Sequence, residues 1–414
     1  MPIPPWGVEL LRRSIAEVST RANPEQIEKL KDQAREIFRE LPAAAARGVE
    51  GVLQAAEPAK ESVRSWAKQY TAASWGRLNA TGRIAIDAAT PAPAADVLAA
   101  GLELIDGSRR LGPGVDGDAR DAIDRIGGSG WGLFVTQRFE SAVALIPELA
   151  DGRTITLHRA SAERIGPIGG VADVLHRVGA SVREVGTIEG VEFNDYESSG
   201  PYAAVTAGGV DGGLPGDVLR IDVLPAAAWK TSFAGLPTVG GSIAGGADVV
   251  IVRAGALVGG PGTGVVLAKR ETVERLHRST GPLYAADDAR VAMTVAALRR
   301  DPGEDPGSIA SLVGVGEDNL RGRAERLVAR LGGSERVADA RMTDRPAVIA
   351  GRYEVPSRQV LFRCVGEDAD GVRRRLHSHD PSIETRTDFD DPEVALDLRF
   401  VPPGEDALLA EAIG

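Results

Sequence analysis

The spacing of apolar and polar positions changes character twice along this chain. Over residues 1 to 76 it is helical and charged. In NPEQIEKLKDQAREIFREL, Ile27, Leu30, Ala34, Ile37, Phe38 and Leu41 recur at three- and four-residue spacing, which predicts an amphipathic helix. Asn23 can cap it, Pro24 suits its first position, and Gln26 completes a capping-box-like spacing. A second, Ala-rich helix is predicted over about residues 43–70, with Trp66 inside it. From residue 77 to 300 the rhythm becomes short apolar runs, GLFVT, TITLH, SVREVG, VLRIDVL, DVVIVRAG and GVVLAKR. These alternate with helical segments such as ESAVALIPELA and GVADVLHRVGA. The alternation predicts an α/β domain with a mainly parallel sheet and helices on both faces. Ligands of such sheets bind beyond the carboxyl ends of the strands. After the DPGEDPGS break, residues 301–414 read as a small α+β domain. It holds a helix with Leu320, Ala324, Leu327, Val328 and Leu331 on one face, the strands RQVLFRCVG and EVALDLRFV, and a last helix, EDALLAEAI.

Composition narrows the function classes. The chain has 414 residues, 43% hydrophobic and 26% charged, as in ordinary globular proteins. Its net charge of -11 argues against a general nucleic-acid-binding surface. The single cysteine, Cys364, excludes an intrachain disulfide and reads as a buried structural thiol. The start, MPIPPWGVELLRRS, lacks a basic segment followed by an apolar one, and no apolar run approaches the ~18 residues of a membrane span. A cytoplasmic protein without a membrane partner is therefore expected. There is no GxxxxGK[ST] loop, and the five histidines form no metal-ligand spacing. His377 and His379 in RLHSHDP read as a solvated strand end or turn, so no metal is expected.

One arrangement is specific. LNATG at Leu78–Gly82, HRASAERIGPIGGVADVLHRVGASVREVGT at His158–Thr187, Asp222, GLPTV from Gly235, and GADVVIVRAGALVGGPGTGVVLAKRETVERL follow one another in order. GPLYAADDARVAMTVAALR and LDLRFVPPGEDALLAEAI come after them. Together these resemble the family of L-seryl-tRNA(Sec) selenium transferase, the bacterial selenocysteine synthase. The resemblance implies fold type I of the pyridoxal-phosphate-dependent transferases, with a homodimer or larger ring. In that family the cofactor forms a Schiff base with a lysine and acts as an electron sink, so that the seryl hydroxyl is eliminated and a selenium donor adds. The lysine stands in Ser-Gly-Asp-Lys, directly before Leu-Leu-Gly-Gly-Pro. Here that tetrapeptide reads Arg253, Ala254, Gly255, Ala256. A methyl group at Ala256 can neither form an aldimine nor carry a proton.

Other positions depart together. TQRFESAV stands for the family's phosphate-side Asn-Asn-Asn-Ala, placing Glu140 where a phosphate is expected unless Arg138 offsets it. Gly170 replaces the arginine after Ile-Gly-Gly, Glu189 and Gly190 replace an Asn-Arg pair, and the segment before the cofactor aspartate is shortened to GPYAAVTAGGVDGGLPGD. The frame is kept. By resemblance Asp222 matches the acid facing the pyridinium nitrogen, Arg159 matches a family arginine, and Gly259 and Gly260 preserve the turn. The reading is a divergent, non-catalytic paralogue acting as a binding or scaffold subunit, as a homo-oligomer or beside an active relative. No cofactor is expected, non-covalent pyridoxal phosphate being what the resemblance leaves open. Two alternatives stand beside it. One is an active transferase or lyase with a displaced lysine, Lys230 or Lys269. The other is a tRNA-binding module using Arg12, Arg13, Lys29, Lys31, Arg35 and Arg39, which are interleaved with Glu25, Glu28, Asp32, Glu36 and Glu40.

Overall fold

A computed structural model describes residues 77–84, 95–105, 110–112, 114–159, 164–166, 169–187, 192, 195, 202–206, 218–230, 232, 235–255, 258–300, 312–349, 353–386 and 393–414. The candidate cations of the first 76 residues, and Ala256, Glu189 and Gly190, lie outside them. The chain divides between Gly76 and Arg77, and everything described belongs to the second unit, Arg77–Gly414.

Seven strands form the central sheet. They are β1 (Trp131–Thr136), β2 (Thr154–His158), β3 (Val182–Val185), β4 (Tyr202–Thr206), β5 (Leu219–Leu224), β6 (Val249–Arg253) and β7 (Gly264–Lys269). Their order is β1-β7-β6-β5-β4-β2-β3. Only β7 runs antiparallel to its neighbours β6 and β1. The pairs from β6 through β5, β4 and β2 to β3 are parallel. The carboxyl ends of six strands therefore share one edge, with the start of β7 beside them.

Both faces are covered. Ile221, Val223, Val249 and Ile251 pack with α2 (Phe139–Val143), α3 (Ile146–Ala150), α4 (Val171–Arg177) and α6 (Arg270–Arg278). On the other face Leu224, Val250, Val252, Val265 and Leu267 join Ala122 and Ile123 of α1 (Gly114–Asp124), Val239 of α5 (Val239–Ala244) and Leu298 of α7 (Asp288–Arg299). The inner strands lose both faces to apolar contacts, as parallel sheets do, while the edge strand β3 keeps Arg183 and Glu184 exposed.

Two sequence readings change. ESAVALIPELA is not one helix but α2 and α3, the break falling just before Pro147 near the start of α3. Proline lacks the N–H and clashes with the preceding turn, so a continuous helix is disfavoured there. The strand β4, YAAVT, lies inside the segment read only as shortened, and it is buried along its whole length. The helix and strands read in residues 301–414 appear where expected. Helix Glu317–Gly332 buries Leu320, Ala324, Leu327 and Leu331, and Cys364 is buried on strand Gln359–Cys364.

LNATG has a structural use. Residues Arg77–Ala80 pair in parallel with Ser382–Thr385, and Arg83–Ile84 pair with Val348–Ile349. The motif thus ties residues 77–84 to the C-terminal part of the chain. Asn79 closes the turn itself: its Oδ1 accepts from the Thr81 amide at 3.1 Å and hydroxyl at 2.7 Å, and its Nδ2 donates to the Arg83 carbonyl at 2.8 Å. Gly82 has φ +68°, and a Cβ there would stand 2.5 Å from Oδ2 of the buried Asp397. Positive φ and the close carboxylate both exclude a side chain. Gly82→Ala is expected to lower unfolding stability by about 2–4 kcal/mol, read from the midpoint of a urea titration followed by circular dichroism.

Candidate functional site

The site begins with one strand. In β5, alternation puts Arg220, Asp222 and Leu224 on one face of the sheet. Register supplies the flanks: Asp222 stands beside Thr206 of β4 and Val250 of β6. Asp222 is 0% exposed. Thr206 Oγ1 donates to its Oδ1 at 2.7 Å. Arg220 grips both oxygens, Nε to Oδ1 at 3.0 Å and Nη2 to Oδ2 at 3.1 Å. Charge-assisted, two-pronged pairs of this kind are the strong ones, and the buried carboxylate needs one. Arg220 Nη1 also donates to the Gly245 carbonyl at the end of α5, at 2.6 Å.

Above Asp222, toward the strand ends, the same face is apolar. Leu224, Ala227, Trp229, Val252, Ala254 and Val258 are all buried in one cluster. Asp222 is fully buried with both oxygens held by Arg220 and Thr206, so neither is open to a pyridine nitrogen. As placed, these residues do not fit a pyridine-ring cofactor at the position that the resemblance assigns to it.

The opposite face carries a second polar feature at the same edge. Arg253, the last residue of β6, lays its guanidinium 4.8 Å from the centroid of the Phe139 ring. It also donates to the Ile165 carbonyl. Burial pulls this guanidinium below the usual arginine value, with the charge of Glu140 opposing the shift. Glu140 therefore acts on a cation of the chain itself. Arg138 is the N-cap residue of α2, in extended backbone, and gives no side-chain cap bond.

The other candidate residues do not converge on Asp222. Arg159 follows β2, two strands away, where it meets Glu184 at 3.6 Å and donates to the Gly186 carbonyl at 3.2 Å. Gly170 is the N-cap of α4, its amide bonded to Asp173. Gly259 has φ +79°, and a Cβ on Gly260 would stand 2.8 Å from the Ala254 carbonyl oxygen. Those two glycines are demanded by a turn that packs on itself: the Gly260 amide donates to Ala254 O at 2.8 Å and the Ala254 amide to Thr263 O at 3.0 Å.

The lysines separate. Past residue 76 the sequence contains only Lys230 and Lys269. Lys269 ends β7, paired with Trp131 at the start of β1, while Arg253 pairs with Gly264 at the other end. Five residues of strand put it about 17 Å from the carboxyl edge. Its Nζ lies 5.3 Å from the centroid of the Trp131 ring. Lys230 is exposed and follows the end of β5 by six residues.

A family model described as SelA, L-seryl-tRNA selenium transferase, matches residues 229–402. The L-seryl-tRNA(Sec) selenium transferase of Nitratidesulfovibrio vulgaris is 26% identical, with 70% of each chain covered. That of Moorella thermoacetica is 28% identical, covering 70% of this chain and 69% of its own. Over these spans this chain is similar to the L-seryl-tRNA selenium transferases. A solved structure titled D-glucosaminate-6-phosphate ammonia-lyase superposes with a TM-score of 0.57 at 16% identity, over 84% of this chain and 96% of its own, which shows the fold alone. The α/β domain is of the fold type I shared by pyridoxal-phosphate-dependent transferases. Within this selenium-transferase-like chain, the matched segment includes the Gly259–Gly260 turn and begins after Asp222.

Sequence reasoning singled out Asp222 and missed its partner. Arg220 was legible, since an Arg-x-Asp within a strand places both side chains on one face. Thr206 was not, because β4 itself was not seen. Thr206→Val removes the hydroxyl but keeps the shape. It is expected to cost about 1.5–3 kcal/mol, against about 1 kcal/mol for Thr206→Ser, in matched chemical-denaturation curves.

Proposed function

We propose that this chain is a non-catalytic relative of the selenium transferases that uses the fold as a binding or scaffold subunit. The observation that carries the reading is the sealed Asp222. Its oxygens are held by Arg220 and Thr206, and the next residues toward the strand ends, Leu224 and Val252, are apolar and buried. The sequence adds that the lysine position is Ala256. Covalent cofactor chemistry needs an amine and an open acid; this chain supplies neither at those positions. By resemblance the subunit is cytoplasmic and forms a homodimer or larger ring, alone or with an active relative. A tRNA-binding role has only the mixed charges of the first helical segment behind it.

One specific observation keeps an enzymatic reading alive: Lys230 is exposed and follows the carboxyl end of β5 by six residues, whereas Lys269 pairs at the opposite end of the sheet. The decisive experiment is spectroscopic. The purified protein is incubated with excess pyridoxal phosphate, scanned for an absorbance band near the visible edge, then reduced with borohydride and digested for peptide mass analysis. No band and no lysine adduct are expected. A borohydride-stable label on Lys230, lost in Lys230→Ala, would replace this reading with a displaced-lysine enzyme.

A further inference from the structure

A carboxylate at 0% exposure inside a sheet needs a counter-charge to remain ionised there. All four neighbours of Asp222 on its face are known: Thr206 and Val250 to the sides, Arg220 before it and Leu224 after it. Arg220 is the only cation among them. We infer that Arg220 supplies, from within the chain, the positive charge that a ring nitrogen would otherwise bring to Asp222. With Leu224 it is the residue that excludes pyridine-ring ligands from this edge of the sheet.

Three observations beyond the ion pair support this. Arg220 is held in place independently of Asp222. Its amide donates to Asp248 Oδ2 at 2.9 Å, its carbonyl accepts from the Asp248 amide at 2.9 Å, and its Nη1 reaches Gly245 O. The guanidinium is thus positioned before it meets the carboxylate. Its side chain is only 13% exposed, so water screens the pair weakly. Finally, Leu224 pairs with Val252 across to β6, and both are fully buried. A planar ring over Asp222 would have to displace this packed pair and bring a second positive charge beside the guanidinium, where the low dielectric makes repulsion strong.

The inference rests on the non-catalytic reading but is tested separately from it. Thermal unfolding is measured for the wild type, Arg220→Met, Asp222→Asn and the double variant. The wild type and Asp222→Asn are also melted with pyridoxine 5'-phosphate, which carries the ring and phosphate but no aldehyde. Each single variant is expected to lose roughly 5–10 °C, and the double variant clearly less than the sum. Pyridoxine phosphate leaves the wild-type midpoint unchanged. Additive losses would remove Arg220 as the counter-charge of Asp222. A rise in the wild-type midpoint with pyridoxine phosphate, absent in Asp222→Asn, would show the ring reaching Asp222 past Arg220 and overturn the exclusion. If the single variants fail to fold, the wild-type melt alone still decides: an unchanged midpoint upholds the exclusion and a rise overturns it. A borohydride-labelled lysine would sink the non-catalytic reading and leave the coupling between Arg220 and Asp222 standing.

Discussion

A buried carboxylate in the middle strand of a seven-stranded sheet is the constraint from which the rest follows. Asp222 sits on β5, between β4 and β6, with no exposed surface. Unpaired, such a charge would cost more than most single contacts in the domain contribute. Arg220 and Thr206 make it tolerable, and in doing so they close its oxygens to anything else. Carboxylate, guanidinium and hydroxyl form a unit, so the strand order that brings Thr206 beside Asp222 and the alternation that brings Arg220 below it are both needed. A charge that can serve as a handle for a ligand in one context is here a structural element of the sheet.

The same division runs through the other inherited features. The Gly259–Gly260 turn keeps its glycines because backbone meets backbone there, whether or not a ligand follows. LNATG keeps its asparagine and glycine to close a turn and to fit against Asp397. The positions tied to chemistry in the family show different side chains. By the resemblance, Ala256 stands at the lysine position. Arg253, where the resemblance places the head of the family's Ser-Gly-Asp-Lys tetrapeptide, is turned to the opposite face, over Phe139. Interactions within the chain itself hold the fold together.

Much of this frame was legible in the chain, because long apolar runs bounded by turns identify buried strands. β1, β2, β3, β5, β6 and β7 fall on segments read as strands. β4 was not legible. It has five residues, all buried, and so lacks the alternation that marks a half-exposed strand; it is also set between glycine-rich segments. The partners of Leu78–Gly82 lie more than two hundred residues away, and no local pattern encodes such a pairing. The site was legible as a list of positions. Its state was not, since open and filled pockets can share the same aspartate and glycines, and only the side chains around Asp222 distinguish them.

The central claim is that Asp222 is occupied by the chain itself. The most direct measurement is a crystal structure of the protein grown with excess pyridoxal phosphate. The account predicts Arg220 still paired with both oxygens of Asp222, Leu224 packed on Val252, and no ring density between them. A pyridine ring within hydrogen-bonding distance of Asp222, with Arg220 swung away, would contradict it.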